Sequence, residues 1–220
     1  MELQKSRTGL LAELRGEIRD RRALEAFASV PREAFVPADV AHMAYANIPL
    51  PIGGGQTISQ PIMVAITLAA LNVQPDERVL EVGTGSGYQA ALLSCLAKEA
   101  ISVERLPMLE RRARAILAGL HYDNVTVLPS DDVLGCPGGA PYDAIIVAAA
   151  APRVPDALVE QPAMGGRMMA PVGNLHVQTL VRVIRTAGGA VVTELNPCRF
   201  VPLIGEKEAW PPATGPDPSE

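Results

Sequence analysis

The chain reads as an α/β protein: a mostly parallel sheet with helices on both faces, an N-terminal helical extension and a C-terminal β-hairpin. Three observations predict this. From Arg78 onward, apolar runs of strand length alternate with longer runs of helical period. The run Ile145-Ile146-Val147 is apolar on successive residues, as expected of a strand covered on both faces. The segment Val79-Leu80-Glu81-Val82 passes into glycines at alternate positions and then into a helix-like stretch, the pattern of a ligand loop at the carboxyl end of a strand.

The elements follow in order. Leucines and charges at helical spacing predict a helix over Leu3–Arg19 and a shorter one over Arg22–Ser29. In Val30-Pro31-Arg32-Glu33 the chain restarts, since proline suits a first helical turn. Ile48–Gln56 carries two prolines and three consecutive glycines, which predicts a shaped loop and excludes a helix. A helix is expected from about Gln60 to Leu71. Then come a strand over Arg78–Val82, a helix over Tyr88–Lys98, a strand over Ile101–Glu104, a helix over Met108–Leu120 and a strand over Val125–Leu128. Tyr142–Val147 is expected as a strand, Pro155–Gln161 as a short helix and Gly166–Pro171 as a strand. Gln178–Thr186 and Ala190–Leu195, joined around Gly188-Gly189, predict the hairpin, and Arg199–Ile204 is a further extended stretch. The expected organisation is one domain over 1–210: N-terminal helices and loop to 76, a ligand-binding core over 77–175, and C-terminal strands over 176–210. The proline-rich 211–220 reads as a disordered tail.

Composition narrows the class. The 220 residues are 48% hydrophobic and 20% charged, ordinary for a packed soluble domain. A net charge of -5 with no basic stripe argues against a nucleic-acid partner. The apolar runs Ala65–Leu71 and Ala144–Ala151 are too short to span a bilayer, and the first residues lack a signal peptide's apolar stretch. Cys95, Cys136 and Cys198 are odd in number and scattered, so neither a disulfide framework nor a metal site is expected. A cytoplasmic monomer with reduced thiols is the expectation.

The glycine loop carries the chemistry. A dinucleotide site wants G-x-G-x-x-G, with the pyrophosphate over the helix N-terminus. Here Gly83-Thr84-Gly85-Ser86-Gly87 gives G-x-G-x-G, with Glu81 just upstream. An acid there repels a pyrophosphate and suits a cation, such as the amino group or sulfonium of S-adenosylmethionine. Glu104 ends the next strand, about 20 residues on, where an acid commonly takes ribose hydroxyls. Asp131 and Asp132 follow the third strand, where an adenine amino group would arrive. A glycine turn without a ligand, and acids that are solvated loop ends, is the bland alternative; for Asp132 the two readings are evenly matched. His42, His121 and His176 are isolated, so no nucleophile–histidine–acid arrangement is expected.

With the loop before Pro61 added, the sequence resembles the protein-L-isoaspartate O-methyltransferases. The segments that carry the resemblance begin with Val-Pro-Arg-Glu-Ala-Phe-Val-Pro at 30–37, Pro-Leu-Pro-Ile-Gly-Gly-Gly-Gln-Thr-Ile-Ser-Gln-Pro at 49–61 and Leu-Glu-Val-Gly-Thr-Gly-Ser-Gly-Tyr-Gln-Ala at 80–90. They continue with Ser-Val-Glu-Arg at 102–105, Ala-Pro-Tyr-Asp-Ala-Ile-Ile-Val at 140–147, Gly-Gly-Arg at 165–167, Pro-Val-Gly at 171–173 and Arg-Phe-Val-Pro-Leu at 199–203. The Gln56-Thr57-Ile58-Ser59 segment is specific to this family; the glycine loop alone says only methyltransferase.

The resemblance implies a Rossmann-like class I S-adenosylmethionine-dependent methyltransferase. Its substrates would be proteins and peptides with isoaspartyl or D-aspartyl residues, methylated on the α-carboxylate as the start of repair through a succinimide. S-adenosylhomocysteine would be the product, and no metal is involved. It also implies that Ser59 is the active-site serine and that Gln56, Thr57, Ile58, Glu104, Arg105 and Asp131 join the glycine loop around the cofactor. Val201, Pro202 and Leu203 would cover the peptide. Read from its neighbours alone, without the resemblance, Ser59 is better taken as a helix N-cap before Pro61. Four departures stand out: Ser130-Asp131-Asp132 replaces the family's usual Gly-Asp-Gly, Ala148 follows Ile-Ile-Val where threonine is common, Pro162 replaces a usual leucine, and Asn47 stands where aspartate is common. The first leaves open a related methyltransferase acting on a dedicated peptide or small-molecule carboxylate.

Overall fold

The computed structural model of the chain describes residues 2–131, 133–205 and 209–210. Two helices, α1 (Glu2–Glu17) and α2 (Arg21–Ser29), open the chain. Asp20 caps α2, its carboxylate accepting from the N–H groups of Arg22 and Ala23 at 2.9 and 3.1 Å. Short 3-10 turns at Arg32–Phe35 and Ala41–Met43 lead to a two-stranded antiparallel hairpin, β1 (Leu50–Gly53) and β2 (Gln56–Ile58). The expected shaped loop is thus partly strand. Its turn sits on Gly54-Gly55, both at positive φ, and Leu50 and Ile52 point inward on alternate residues. Helix α3 (Pro61–Leu71) follows.

The alternation from Arg78 is observed as β3 (Arg78–Val82), α4 (Tyr88–Leu96), β4 (Glu99–Glu104), α5 (Pro107–Gly119), β5 (Val125–Pro129), β6 (Tyr142–Val147), α6 (Asp156–Val159) and β7 (Pro162–Gly173). The antiparallel pair β8 (Gln178–Thr186) and β9 (Gly189–Cys198) closes the sheet, whose order is β5-β4-β3-β6-β7-β8-β9. The first five strands in that order are parallel, and β8 and β9 add antiparallel. The chain therefore leaves β3 in one direction through β4 and β5, then returns to its other side at β6. That reversal opens a crevice beyond the carboxyl ends of β3 and β6.

Side chains alternate between two cores. Val79, Ile146 and Met169 pack with α1 to α5 on one face; Leu80, Val82, Ile145, Val147 and Met168 pack on the other. The second face has only the four-residue α6 among its helices and is otherwise covered by loops that contribute Leu134 and Leu203. Helices on both faces is therefore correct but uneven. The extended stretch after β9 does not join the sheet. Pro202 bridges Ala150, just beyond β6, so β9 and not this stretch is the edge strand.

At the opposite end from the crevice, Arg167 ties α3 to the sheet. Its guanidinium donates to the carbonyls of Leu71 (2.6 Å), Asn72 (2.6 Å) and Asp143 (3.2 Å), and to both Glu77 carboxylate oxygens at 2.7 Å. Cys95, Cys136 and Cys198 are free thiols. Among the described residues, no helix is long and apolar enough to cross a membrane. The expected tail, 211–220, lies outside the described residues.

Candidate active site

The crevice holds a cavity of about 310 Å³, within the size range of small-molecule sites. Its floor is the glycine loop. The N–H groups of Gly83 and Thr84 donate to the Val103 carbonyl at 2.9 and 3.1 Å, so the loop is laced to the end of β4. Gly85 sits at φ +54° and donates to Glu104 Oε2 at 2.8 Å. The other oxygen of Glu104 accepts from the Leu106 N–H at 2.9 Å. Glu104 thereby holds the loop while its carboxylate lines the cavity, leaving lone pairs for ligand hydroxyls.

Beneath the loop lies Glu81, fully buried. Its oxygens accept from Gln89 Nε2 at 3.0 Å and from Ser102 Oγ at 2.5 Å, and Ser102 Oγ also meets Thr84 Oγ at 2.6 Å. No cationic side chain is paired with it among the described residues. Burial pushes its pKa up to about 8, against those hydrogen bonds and with help from the nearby Glu104 charge. Two buried acids without a protein cation among the described residues make an acceptor set that fits a small ligand bearing positive charge and hydroxyls.

The walls come from segments far apart in the chain. The β1-β2 hairpin leans over the glycine loop: the ideal Cβ position of Gly85 is 3.4 Å from Ile52 Cδ1, and that of Gly54 is 3.0 Å from Leu106 Cδ1. Gln56, Thr57, Ile58 and Ser59 line the cavity from this side. From the other side come Val201, Pro202 and Leu203, held because Ala150 N–H donates to the Val201 carbonyl (2.8 Å) and Leu203 N–H to the Ala150 carbonyl (2.7 Å).

Ser59 is not the cap of α3. The capping position is Gln60, which makes no side-chain cap, and the Ile62 N–H is taken by Asn47 Oδ1 at 3.2 Å. Asn47 therefore keeps the helix start satisfied, and among the described residues the Ser59 hydroxyl makes no hydrogen bond. It is half-buried at the cavity wall.

Of the residues expected at the site, Gly83, Thr84, Gly85, Ser86, Arg105 and Asp131 also line the cavity. Gly87 does not. It stands at φ +87°, and a Cβ there would lie 3.2 Å from Ala113 Cβ and 3.4 Å from Leu117 Cδ1, so it serves the close packing of the loop exit on α5. Asp132 lies outside the described residues. Residues not anticipated include Ala148 and Ala149, Leu106, Leu134 and Gly135. The first two follow β6 at the strand-order reversal, a position a topological reading could have found; Leu134 arrives by an irregular loop that leaves no periodic signal.

Among the described residues, no group of three or more His, Cys, Asp and Glu side chains could hold a metal ion. The family model for protein-L-isoaspartate(D-aspartate) O-methyltransferases matches residues 5–208. A protein-L-isoaspartate O-methyltransferase from Geobacter metallireducens is 49% identical over 194 residues, covering 88% of this chain and 89% of the relative. One from Anaeromyxobacter dehalogenans is 52% identical over 189 residues, covering 84% and 90%. Among solved structures, a protein-L-isoaspartate O-methyltransferase superposes with a TM-score of 0.79 at 28% identity, over 89% of this chain and 65% of that longer one. A Plasmodium falciparum protein of the same description, in complex with S-adenosyl-L-homocysteine, gives a TM-score of 0.77 at 26% identity, over 88% and 95%.

Proposed function

The chain belongs to the protein-L-isoaspartate(D-aspartate) O-methyltransferase family and functions as a protein-L-isoaspartate O-methyltransferase; we propose that the crevice is where it methylates the free carboxylate of the damaged residue, the α-carboxylate of an isoaspartyl and the β-carboxylate of a D-aspartyl residue. The observation that supports this most is the convergence of the glycine loop, Glu104, Ser59 and Val201–Leu203 on one cavity. S-adenosylmethionine, when bound, supplies an electrophilic methyl group on a positively charged sulfur.

The residues of the chain then have only to bind, align and dry the site. The isoaspartyl α-carboxylate is ionised at neutral pH and is already the nucleophile, so no general base is needed. Ser59 contributes a free hydroxyl that donates to this carboxylate and turns one oxygen toward the methyl position. Glu81 and Glu104 meet the cofactor's positive charge and ribose hydroxyls, and Asp131 its adenine amino group. Arg105 and Gln56–Ile58 close the edges. The hairpin and the Val201–Leu203 segment exclude water from the reacting atoms.

Substrate breadth follows from backbone recognition. One edge of the 201–204 segment is engaged with Ala150, while the Pro202 carbonyl and the Ile204 N–H have no backbone partner among the described residues. A flexible peptide can hydrogen-bond there with little regard to its side chains.

The test is methyl transfer from labelled S-adenosylmethionine to an isoaspartyl peptide and to its normal aspartyl twin. Transfer to the first only is expected; transfer to neither by cofactor-bound protein would sink the reading. Ser59→Ala should lower turnover by more than it lowers cofactor affinity, and unchanged turnover would remove the hydroxyl from the mechanism.

A further inference from the structure

Arg32 is the largest fully buried side chain among the described residues, with no exposed surface. Fully buried arginines are rare unless paired, and this one has no carboxylate partner among the described residues. Its Nε donates to the Ala44 carbonyl at 2.7 Å and its Nη2 to the Ser59 carbonyl at 2.9 Å. The guanidinium lies over the Tyr88 ring, 4.9 Å from its centroid. Nη1 is buried without a hydrogen-bond partner. Burial lowers the pKa to about 10, so the group stays charged at neutral pH.

Such an arrangement is a poor source of stability. Burying an unpaired cation with an unfilled donor costs free energy, which offsets part of what its two hydrogen bonds contribute. What an apolar side chain cannot do is span two carbonyls and a ring with one rigid plane. The three things joined are informative. Ser59 stands at the cavity wall; Ala44 begins the approach to Asn47, which caps α3; Tyr88 is the first residue of α4, directly after the glycine loop. Phe27 and Phe35 set the ring edge-on from behind, at 6.2 and 5.6 Å between centroids. The guanidinium therefore fixes the Ser59 peptide unit relative to the loop that underlies the cofactor.

We propose that Arg32 is the positioning residue for Ser59: it acts on methyl transfer by holding the serine hydroxyl at a set distance from the glycine loop, without touching substrate or cofactor. The proposal rests on the reading that the Ser59 hydroxyl orients the substrate carboxylate. A displacement of about 1 Å in such a group can lower a rate by about 100-fold.

The experiment uses the full chain with Arg32→Lys, Arg32→Met, Ser59→Ala and the two double variants. Turnover on an isoaspartyl peptide, S-adenosylhomocysteine affinity by calorimetry, and melting temperature are measured for each. Arg32→Lys and Arg32→Met should both fold, with Arg32→Met melting below the parent because the Ala44 and Ser59 carbonyls lose their donor. Both should hold S-adenosylhomocysteine within about 3-fold, since the glycine loop is not moved, and lose roughly 10- to 100-fold in kcat. Added to Ser59→Ala, neither should lower kcat by more than about 2-fold further, because it acts through the same hydroxyl. Losses that multiply, a loss of affinity as large as the loss of kcat, an unchanged kcat, or failure of both variants to fold would each overturn the proposal. If Ser59→Ala itself leaves turnover unchanged, the Ser59 reading fails, and this proposal with it. A full loss in Ser59→Ala with normal kcat in the Arg32 variants overturns the role of Arg32 alone.

Discussion

Glu104→Gln probes the hinge between fold and ligand at the floor of the crevice. The two carboxylate oxygens of Glu104 each accept a backbone N–H, from Gly85 at 2.8 Å and from Leu106 at 2.9 Å. Glutamine has the same shape but a single oxygen. Whichever way its amide turns, its NH₂ group faces one of the two N–H donors. One charge-assisted hydrogen bond is lost and the other becomes neutral, for a total of about 3 kcal/mol. That free energy has two places to appear. If the loop keeps its conformation, the ligand-free chain is destabilised, and melting falls by about 6–12 °C for a protein of this size. If the loop relaxes, a ligand must reorder it, and S-adenosylhomocysteine binds roughly 150-fold more weakly. Scanning calorimetry and isothermal titration on one preparation measure both quantities, and a weakened hydrogen bond to the ribose adds to the second. An affinity within about 3-fold of the parent, together with melting within about 2 °C, would refute the reasoning that this carboxylate holds the glycine loop.

Three further outcomes are expected. Gly85→Val places a β-branched residue at φ +54° with its Cβ 3.4 Å from Ile52 Cδ1; the left-handed conformation alone costs about 1–2 kcal/mol, and titration should show no S-adenosylhomocysteine binding. Glu81 has its pKa raised from 4.5 to about 8 by burial, so between those values the ligand-free folded state holds a proton that the unfolded chain has lost. Stability should therefore fall as pH rises through that window, and urea unfolding of Glu81→Gln should lack this slope. Burial alone would raise the pKa of Glu77, but hydrogen bonds from Arg167 and Gln74 outweigh it and hold the carboxyl below its usual range. Arg167→Met should cost about 2–4 kcal/mol at neutral pH, the pair being partly exposed. The difference from the parent should shrink as pH falls through the depressed pKa of Glu77, and a pH-independent difference would contradict the pairing.

Local periodicity explains why so much of the core was legible. The β3-to-β6 alternation was readable because buried parallel strands must be apolar on both faces and their crossover helices must carry a stripe. The glycine loop and Glu104 were readable because a close approach of backbone to ligand restricts residue type at a few adjacent positions. Pairing between distant segments leaves no such mark. Pro49-Leu50-Pro51-Ile52 and the three glycines after it read as loop, yet the fold uses them as a hairpin over the cavity. Gly87 belongs to the same motif as Gly85, but only the docking of α5 shows that it faces Ala113 and not the ligand.

Ser59 draws the line most clearly. By sequence alone it is a polar residue before a proline-led helix, and its neighbours favour the cap; only the resemblance makes it an active-site residue. The tertiary structure separates them, because Asn47, 12 positions upstream, takes the Ile62 N–H and frees the hydroxyl. Arg32 likewise carries no local mark of its role; its burial, the two distant carbonyls and the Tyr88 ring around it come only from the fold. Sequence by itself determined the elements and the chemistry available to them, since both depend on neighbours along the chain. Which polar groups are satisfied by structure and which are left for a ligand was decided only when segments tens of residues apart competed for the same donors and acceptors.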